Sequence, residues 1–134
     1  MPRMIFLTLP VADMPRARAF YEGLGFSINP KFSNENSTCV VVSDTIYFML
    51  ATHDQFRNFS AKPLVLPTTG ATSLVALSCE SRAEVDALTA AAIAHGGKAL
   101  HDPEDMGFMY STAFEDPDGN GFGPFWMDPA AAAG

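Results

Sequence analysis

The fold of this 134-residue chain is decided near its end, by the stretch Phe114-Glu115-Asp116-Pro117-Asp118-Gly119-Asn120-Gly121-Phe122-Gly123-Pro124-Phe125-Trp126-Met127. Residues 116–119 are typical of a turn, because Pro117 fixes φ near about −65°, aspartate side chains bond nearby backbone, and Gly119 tolerates positive φ. β-rich segments flank this turn at 109–114 and 122–127. The stretch therefore predicts a hairpin that joins the last two strands.

Before this hairpin, the second half of the chain begins with a predicted strand at 73–79. Ser81 and Glu84 form a capping-box pattern that starts a helix, and Gly96-Gly97 ends it. A short strand is predicted at 98–100, ahead of the two strands of the hairpin. The second half therefore has the order β-α-β-β-β.

The first half shows the same order of elements. Asp13 is a good N-cap and Pro15 suits the first turn of a helix, whose apolar face repeats at helical spacing until Gly25 stops it. The predicted strands are 4–9, 26–32, 39–43 and 45–51, and a helical turn is predicted at 54–59.

Together the two halves predict a single α+β domain over residues 1–134. Its two βαβββ modules would form a curled mixed-sheet cup with the helices outside. We place module one at 1–60, a linker at 61–71, module two at 72–128 and a tail at 129–134. The tail is rich in alanine and too short to bury itself, so we expect it loose or docked on a partner subunit.

Composition and charge narrow the possible partners. A net charge of −7 disfavours nucleic acid and anionic membrane surfaces, since both carry negative charge. No apolar run approaches the roughly 20 residues of a membrane span, and the N-terminus lacks the pattern of a signal peptide, so we expect a cytoplasmic protein. Cys39 and Cys79 are interpreted as free thiols.

Two motifs at opposite ends of the chain carry a resemblance to a known family. The first motif is the turn at 114–120 followed by a short aromatic strand. The second is the opening Leu9-Pro10-Val11-Ala12-Asp13, followed by Phe20-Tyr21 and Leu24-Gly25-Phe26. Together they resemble the vicinal oxygen chelate superfamily. This superfamily includes glyoxalase I, bleomycin resistance proteins and extradiol dioxygenases. The resemblance covers nearly the whole chain and implies the cup fold and a homodimer.

The resemblance also implies four metal-ligand positions, which in metal-using relatives hold histidine and glutamate. They map to Phe6, Met49, Ser73 and Gly123. None of these suits Zn, Ni or Fe, which need about three donors from histidine, cysteine or carboxylate. We therefore predict no metal and no cofactor at the usual site.

Ligands elsewhere in the chain remain an alternative. His53 follows the fourth strand, and His101 precedes several acids in what we interpret as a solvated loop. Either histidine, with a nearby acid, is a candidate for a relocated metal site. The turn itself explains Asp116 and Asp118 without a metal.

The strands of the cup predict a ligand-binding pocket, since alternate residues of a strand share one face. The inward-facing candidates are Phe6 and Thr8; Tyr47, Met49 and Ala51; Ser73, Val75 and Leu77; and Gly121, Gly123, Phe125 and Met127. Such a lining suits a flat or apolar ligand, and the alternative is that these side chains fill the cup as core.

Three functions follow from this pattern. The first is metal-free binding of a small apolar or aromatic molecule in the cup. The second is a glyoxalase-type lyase or isomerase, or a dioxygenase, that uses a divalent metal through relocated ligands. The third is a non-catalytic domain whose use is dimerisation. No catalytic residue can be assigned, because no nucleophile has a visible base beside it.

Overall fold

The computed structural model describes residues 3–133. Met1, Pro2 and Gly134, which the predicted first module and tail include, lie outside the described residues. In chain order the elements are β1 Ile5–Val11, α1 Met14–Gly23, β2 Ser27–Asn29, a 3-10 helix Pro30–Phe32, β3 Ser37–Val41, β4 Ile46–Thr52, α2 His53–Phe59, β5 Leu74–Ser78, α3 Arg82–Ala94, β6 Lys98–Asp105, β7 Met109–Glu115, β8 Gly121–Met127 and α4 Pro129–Ala133.

The strands form two four-stranded sheets with equivalent topology. Their orders are β1-β4-β3-β2 and β5-β8-β7-β6. In each sheet the first strand pairs in parallel with the last strand of its module, and the other pairs are antiparallel. The predicted α+β fold with two βαβββ modules is confirmed.

The helices begin and end at the predicted signals. The Asp13 side chain accepts a hydrogen bond from the Arg16 backbone N–H, and Gly25 follows α1 with a φ of 97°. In α3 the Ser81 hydroxyl accepts from the Glu84 N–H, while the Glu84 carboxylate reaches back to the N–H of Glu80. Capping thus fixes both helix starts before any packing is considered.

Three elements differ from the sequence prediction. The second strand stops at Asn29, because Pro30 starts a 3-10 turn that the Asn29 side chain caps. The sixth strand runs to Asp105 instead of stopping at Leu100, through two register irregularities. The predicted loose tail contains a short helix, Pro129–Ala133.

One hydrophobic core is shared by the two modules. The helix-facing side chains of the first sheet, including Phe48 and Leu50, join Phe20 and Tyr21 of α1 and Phe122 of the second sheet in this core. The rings of Phe48 and Phe122 lie 5.5 Å apart between centroids, and those of Tyr21 and Phe122 lie 6.1 Å apart. The helix-facing sides of both sheets are therefore held inside the molecule.

A buried carboxylate links the two modules. Asp116, only 2% exposed, accepts four hydrogen bonds: from the Tyr21 hydroxyl at 2.7 Å, the Asp118 N–H, the Asn120 N–H and the Asn120 side-chain amide. Tyr21 lies 95 residues away on α1. The predicted turn is therefore a connector between modules, since a buried carboxylate requires such partners.

Asp118 and Asn120 extend this connection to the end of β1. The Asp118 carboxylate accepts from the Ala12 N–H at 2.8 Å and from Arg16 at 2.9 Å. The Asn120 amide donates to the Pro10 carbonyl at 3.2 Å. We call Tyr21, Asp116, Asp118 and Asn120 the module clasp.

Removing the Tyr21 hydroxyl tests the module clasp. We expect Tyr21→Phe to lower the free energy of unfolding by about 1–3 kcal/mol, because it leaves a buried carboxylate short of a donor. Tyr47→Phe is the matched control, since the Tyr47 hydroxyl donates to an exposed carbonyl, that of Asp44. Tyr47→Phe should change the free energy of unfolding by no more than about 0.5 kcal/mol, as measured by urea denaturation. Equal losses in both variants would contradict the clasp.

The decrease in the free energy of unfolding caused by Tyr21→Phe should also depend on pH. Burial raises the pKa of Asp116, and the Tyr21 hydrogen bond opposes that rise. Because the folded-state pKa is raised, the stability from this group is present below the unfolded pKa and is lost as pH rises through the folded pKa. Tyr21→Phe removes a bond that lowers the pKa, so its cost should be larger at neutral pH than near about pH 4.

Candidate functional site

Each sheet has one face turned away from the helices, which we call its open face. On the first sheet the open face carries Phe6, Thr8, Tyr47 and Met49, as the predicted alternation requires. Phe6 pairs with Tyr47, and Thr8 pairs with Met49. The rings of Phe6 and Tyr47 stack at 4.6 Å with an interplanar angle of 11°. The neighbouring Phe48 and Leu50 point into the core instead.

On the second sheet the alternation along β5 differs from the prediction. Leu74 pairs with Gly121, and Ala76 pairs with Gly123, which places these residues on the open face. Val75 and Leu77 pair with Phe122 and Pro124 and pack against the core. Ser73 precedes the strand. The alternation predicted along β5 is therefore one residue out of phase, with Leu74 and Ala76 on the open face, although Val75 also lines the hollow there.

The open face of the second sheet forms a shallow hollow of about 490 Å³. The predicted residues Gly123, Phe125 and Met127 all line it. Its other lining side chains come mainly from three further strands: Leu74, Ala76, Leu100, His101, Met109, Ser111 and Ala113. Val75, Thr112 and Phe122 also line it. The Thr112 hydroxyl is buried and bonded to Thr89, so the polar side chains left for a ligand are those of His101 and Ser111.

Gly123 leaves space in this hollow. A Cβ atom built there would lie 3.6 Å from the Thr112 carbonyl oxygen and closer to nothing else, which is an ordinary contact. At Gly121 a Cβ would meet the Leu74 side chain at 3.1 Å. The bare backbone at Gly123 therefore lets a ligand approach the sheet closely.

The two open faces do not close on each other within one chain. Phe6 on the first sheet is 51% exposed, and Leu74 on the second is 77% exposed. The module clasp and the shared core hold the opposite, helix-facing sides together. One chain therefore offers two half-cups, and the predicted single cup is not closed by its own modules.

The residues at the usual metal positions do not fit a metal ion. With the corrected alternation these positions hold Phe6, Met49, Leu74 and Gly123, which offer a single thioether as donor. Within residues 3–133, no group of three or more histidine, cysteine or acidic side chains is placed to hold a metal. His53 begins α2 after the first sheet, whereas His101 lies on β6 of the second.

The acidic turn is occupied by structural hydrogen bonds. Both carboxylate oxygens of Asp116 accept bonds from the protein, and Oδ1 of Asp118 pairs with Arg16, while the buried Oδ2 of Asp118 has no hydrogen-bond partner among the described residues. Their geometry agrees with the interpretation that the turn itself accounts for these two acids.

Sequence reasoning missed a second hollow, of about 750 Å³, where the two modules meet. Phe26 and Ile46 line it from the first module, and Leu77, Cys79 and Leu88 from the second. Burial raises the pKa of the Cys79 thiol, which keeps it protonated and unreactive. No pattern in the sequence marks this hollow, because its walls come from elements far apart in the chain.

His101 was predicted in a solvated loop, but it lies on β6, where it pairs with Ala113. The sequence did not predict this part of β6, because proline and acidic residues such as Pro103 and its neighbours are not typical of strands. The imidazole consequently belongs to the wall of the hollow on the second sheet. Ser111, which lies on β7, was not singled out by the sequence.

No helix among residues 3–133 is long and apolar enough to cross a membrane. No curated protein matches the chain. Solved structures do match, and a hypothetical protein from S. aureus has 25% identity and a TM-score of 0.78, with 94% of each chain covered.

Two further structures have informative names. The fosfomycin resistance protein FosX from Mesorhizobium loti has 14% identity and a TM-score of 0.70, covering 100% of this chain and 99% of its own. TnmS3, an antibiotic binding protein from Streptomyces sp. CB03234, has 20% identity and a TM-score of 0.66, covering 95% of this chain and 97% of its own. At these identities the likeness shows the fold alone.

The family model that matches the chain is described as Glyoxalase/Bleomycin resistance protein/Dioxygenase superfamily, and it spans residues 3–123. This range includes most of both modules and the turn motif that decides the fold. The chain belongs to the glyoxalase/bleomycin resistance protein/dioxygenase superfamily.

Proposed function

We propose that this protein binds a small apolar or aromatic molecule, without a metal ion, on the open face of its second sheet. The observation that carries the proposal is the apolar hollow of about 490 Å³ that Gly123 and Leu74 line, beside the positions that the resemblance assigns to metal ligands. Leu74 and Gly123 supply no metal donor, whereas the apolar lining can hold an apolar molecule.

The lining suits a flat ligand in particular. Phe125 offers an aromatic ring, and the backbone around Gly123 is unobstructed, so one ligand face can lie against the sheet. Met109 and Met127 are flexible and polarisable, and they adapt to the edges of a ring system. Each 100 Å² of apolar surface removed from water contributes about 2.5 kcal/mol, which makes burial the main source of affinity.

Two structural neighbours support a role in small-molecule binding. TnmS3 is named as an antibiotic binding protein and FosX as a fosfomycin resistance protein. Both share this fold along nearly their whole length. Their names support a ligand-binding role here without indicating which molecule this chain binds.

We further propose that a second copy of the chain completes the cup. Each chain exposes one half-cup on each sheet, with large apolar side chains such as Phe6 and Leu74 about half exposed or more. A two-fold arrangement would place the first sheet of one copy over the second sheet of the other, burying both open faces. A ligand would then lie between two chains.

Filling the hollow tests the binding site. We expect Ala76→Leu to weaken binding of N-phenyl-1-naphthylamine by about tenfold or more, or roughly 1.4 kcal/mol, because the longer side chain occupies the ligand's place. Ala90→Leu, on the exposed side of α3, is the matched control and should bind like the wild type. Fluorescence titration measures both. Absence of binding by the wild-type protein, or equal binding by all three proteins, would overturn the proposal.

Metal content tests the metal-free part of the proposal. Untagged protein purified without chelator should contain far less than one equivalent of any transition metal by inductively coupled plasma mass spectrometry. The physical reason is the donor set, which offers one thioether where a site needs about three strong donors. A stoichiometric metal that falls in His53→Ala or His101→Ala would contradict the proposal and favour the metal enzyme.

The oligomeric state tests closure of the cup. We expect the wild-type protein to sediment as a dimer and Leu74→Glu to sediment as a monomer, because the new charge would be buried in the interface. Ile93→Glu is the control, since Ile93 is a similarly apolar side chain on α3, 51% exposed against 77% for Leu74. A monomeric wild type, or a dimer in the Leu74→Glu variant, would refute closure by a second copy.

A further inference from the structure

The apolar hollow on the second sheet contains two polar side chains that no metal or structural role explains. His101 is exposed, lines the hollow, and lies on β6 opposite Ala113 of β7. Ser111 lies on the same face of β7, two residues before Ala113. The pairing of β6 with β7 is irregular between His101 and Glu104, the partner of Ser111, but His101 and Ser111 line the same hollow, so the two groups can contact one ligand.

The hydrogen bond made by His101 fixes what it can offer. Its Nδ1 atom lies 2.7 Å from the carbonyl oxygen of Asp102. A carbonyl oxygen only accepts, so Nδ1 carries the hydrogen and donates it. A neutral imidazole has one N–H, and Nε2 is therefore left as a bare acceptor. A ligand beside His101 can therefore form a hydrogen bond with Nε2 only by donating one.

The charges around the hollow argue against an anionic ligand. Glu104 pairs with Ser111 across β6 and β7, whereas Glu115, which pairs with Gly121 at the other end of the same sheet, lies opposite Lys98 of β6. The chain as a whole carries a net charge of −7. A carboxylate on the ligand would meet these charges and would also find an acceptor at Nε2, where it needs a donor.

From this arrangement we propose that His101 and Ser111 select neutral aromatic ligands that carry a hydroxyl or N–H donor. The inference rests on the proposed binding function and adds the chemical class of the ligand. The aromatic body lies against the apolar lining near Gly123 and Phe125, and its donor bonds to Nε2 of His101. The Ser111 hydroxyl, which both donates and accepts, bonds to the same ligand group.

Three naphthalene compounds separate the possibilities. 2-Naphthol has a donor, 2-methoxynaphthalene has an acceptor alone, and 2-naphthoate is an anion. We expect the wild-type protein to bind 2-naphthol about tenfold tighter than 2-methoxynaphthalene, the difference that one net hydrogen bond of about 1–1.5 kcal/mol gives. 2-Naphthoate should bind weakest. Displacement of N-phenyl-1-naphthylamine measures all three affinities.

Variants test which residues cause the preference for 2-naphthol over 2-methoxynaphthalene. His101→Leu keeps an apolar side chain of similar bulk but removes the acceptor, so the preference for 2-naphthol should disappear while 2-methoxynaphthalene still binds. Ser111→Ala should reduce the preference in part. His53→Leu, on the other module, should keep the wild-type ratio and serves as the control.

The outcomes distinguish a failure of the proposed ligand preference from a failure of the proposed binding function. If wild-type protein binds none of the naphthalenes, the binding function itself fails. If it binds 2-naphthol and 2-methoxynaphthalene equally, or binds 2-naphthoate tightest, the function stands and the selection rule is wrong. A preference that survives in His101→Leu would likewise overturn the role of His101.

Discussion

The structure depends on one buried carboxylate. Asp116 accepts four hydrogen bonds, and one of them comes from Tyr21 in the other module. A carboxylate that is 2% exposed is costly unless such donors surround it, and Tyr21 supplies the one donor that comes from the other module. Burial also raises the pKa of Tyr21 well above its usual range, which keeps its hydroxyl a donor to Asp116. The module clasp thereby joins the helix-facing sides of the two sheets and turns both open faces outward.

This orientation gives the site its character. Because the open faces point outward, the surface available to a ligand consists of every second side chain along β4, β5 and β8. Here those side chains are Met49, Leu74, Ala76 and Phe125, with bare backbone at Gly123. Residue chemistry, and not a change of fold, separates this surface from a metal centre, because the strands keep their pairing while the donors are missing. The same surface keeps the His101 imidazole and the Ser111 hydroxyl, which we propose set the direction of ligand recognition.

Much of the fold was predictable because its signals are local. Caps at Asp13 and Ser81 and the turn at Asp116–Gly119 set boundaries, and β1, β4, β7 and β8 were placed within two residues. The alternation along β5 was not predictable, since Leu74-Val75-Ala76-Leu77 is continuously apolar and has no polar residue to mark a face. Pairing with β8 decides it, and that contact joins residues about fifty apart in the chain. His101 was misplaced for a related reason, because only pairing with β7 reveals an irregular strand rich in acids. The clasp between Tyr21 and Asp116 was equally invisible, as no sequence rule links two residues 95 positions apart.

The central claim is that the open face of the second sheet binds an apolar ligand. Its most direct test is a methyl-labelled nuclear magnetic resonance titration of the wild-type protein with 2-naphthol. The account predicts saturable shift changes at the methyl groups of Leu74, Ala76, Met109 and Met127, which line the hollow. Saturable changes confined to Leu24 and Leu88, which line the hollow between the modules, would contradict it, as would a spectrum that does not change.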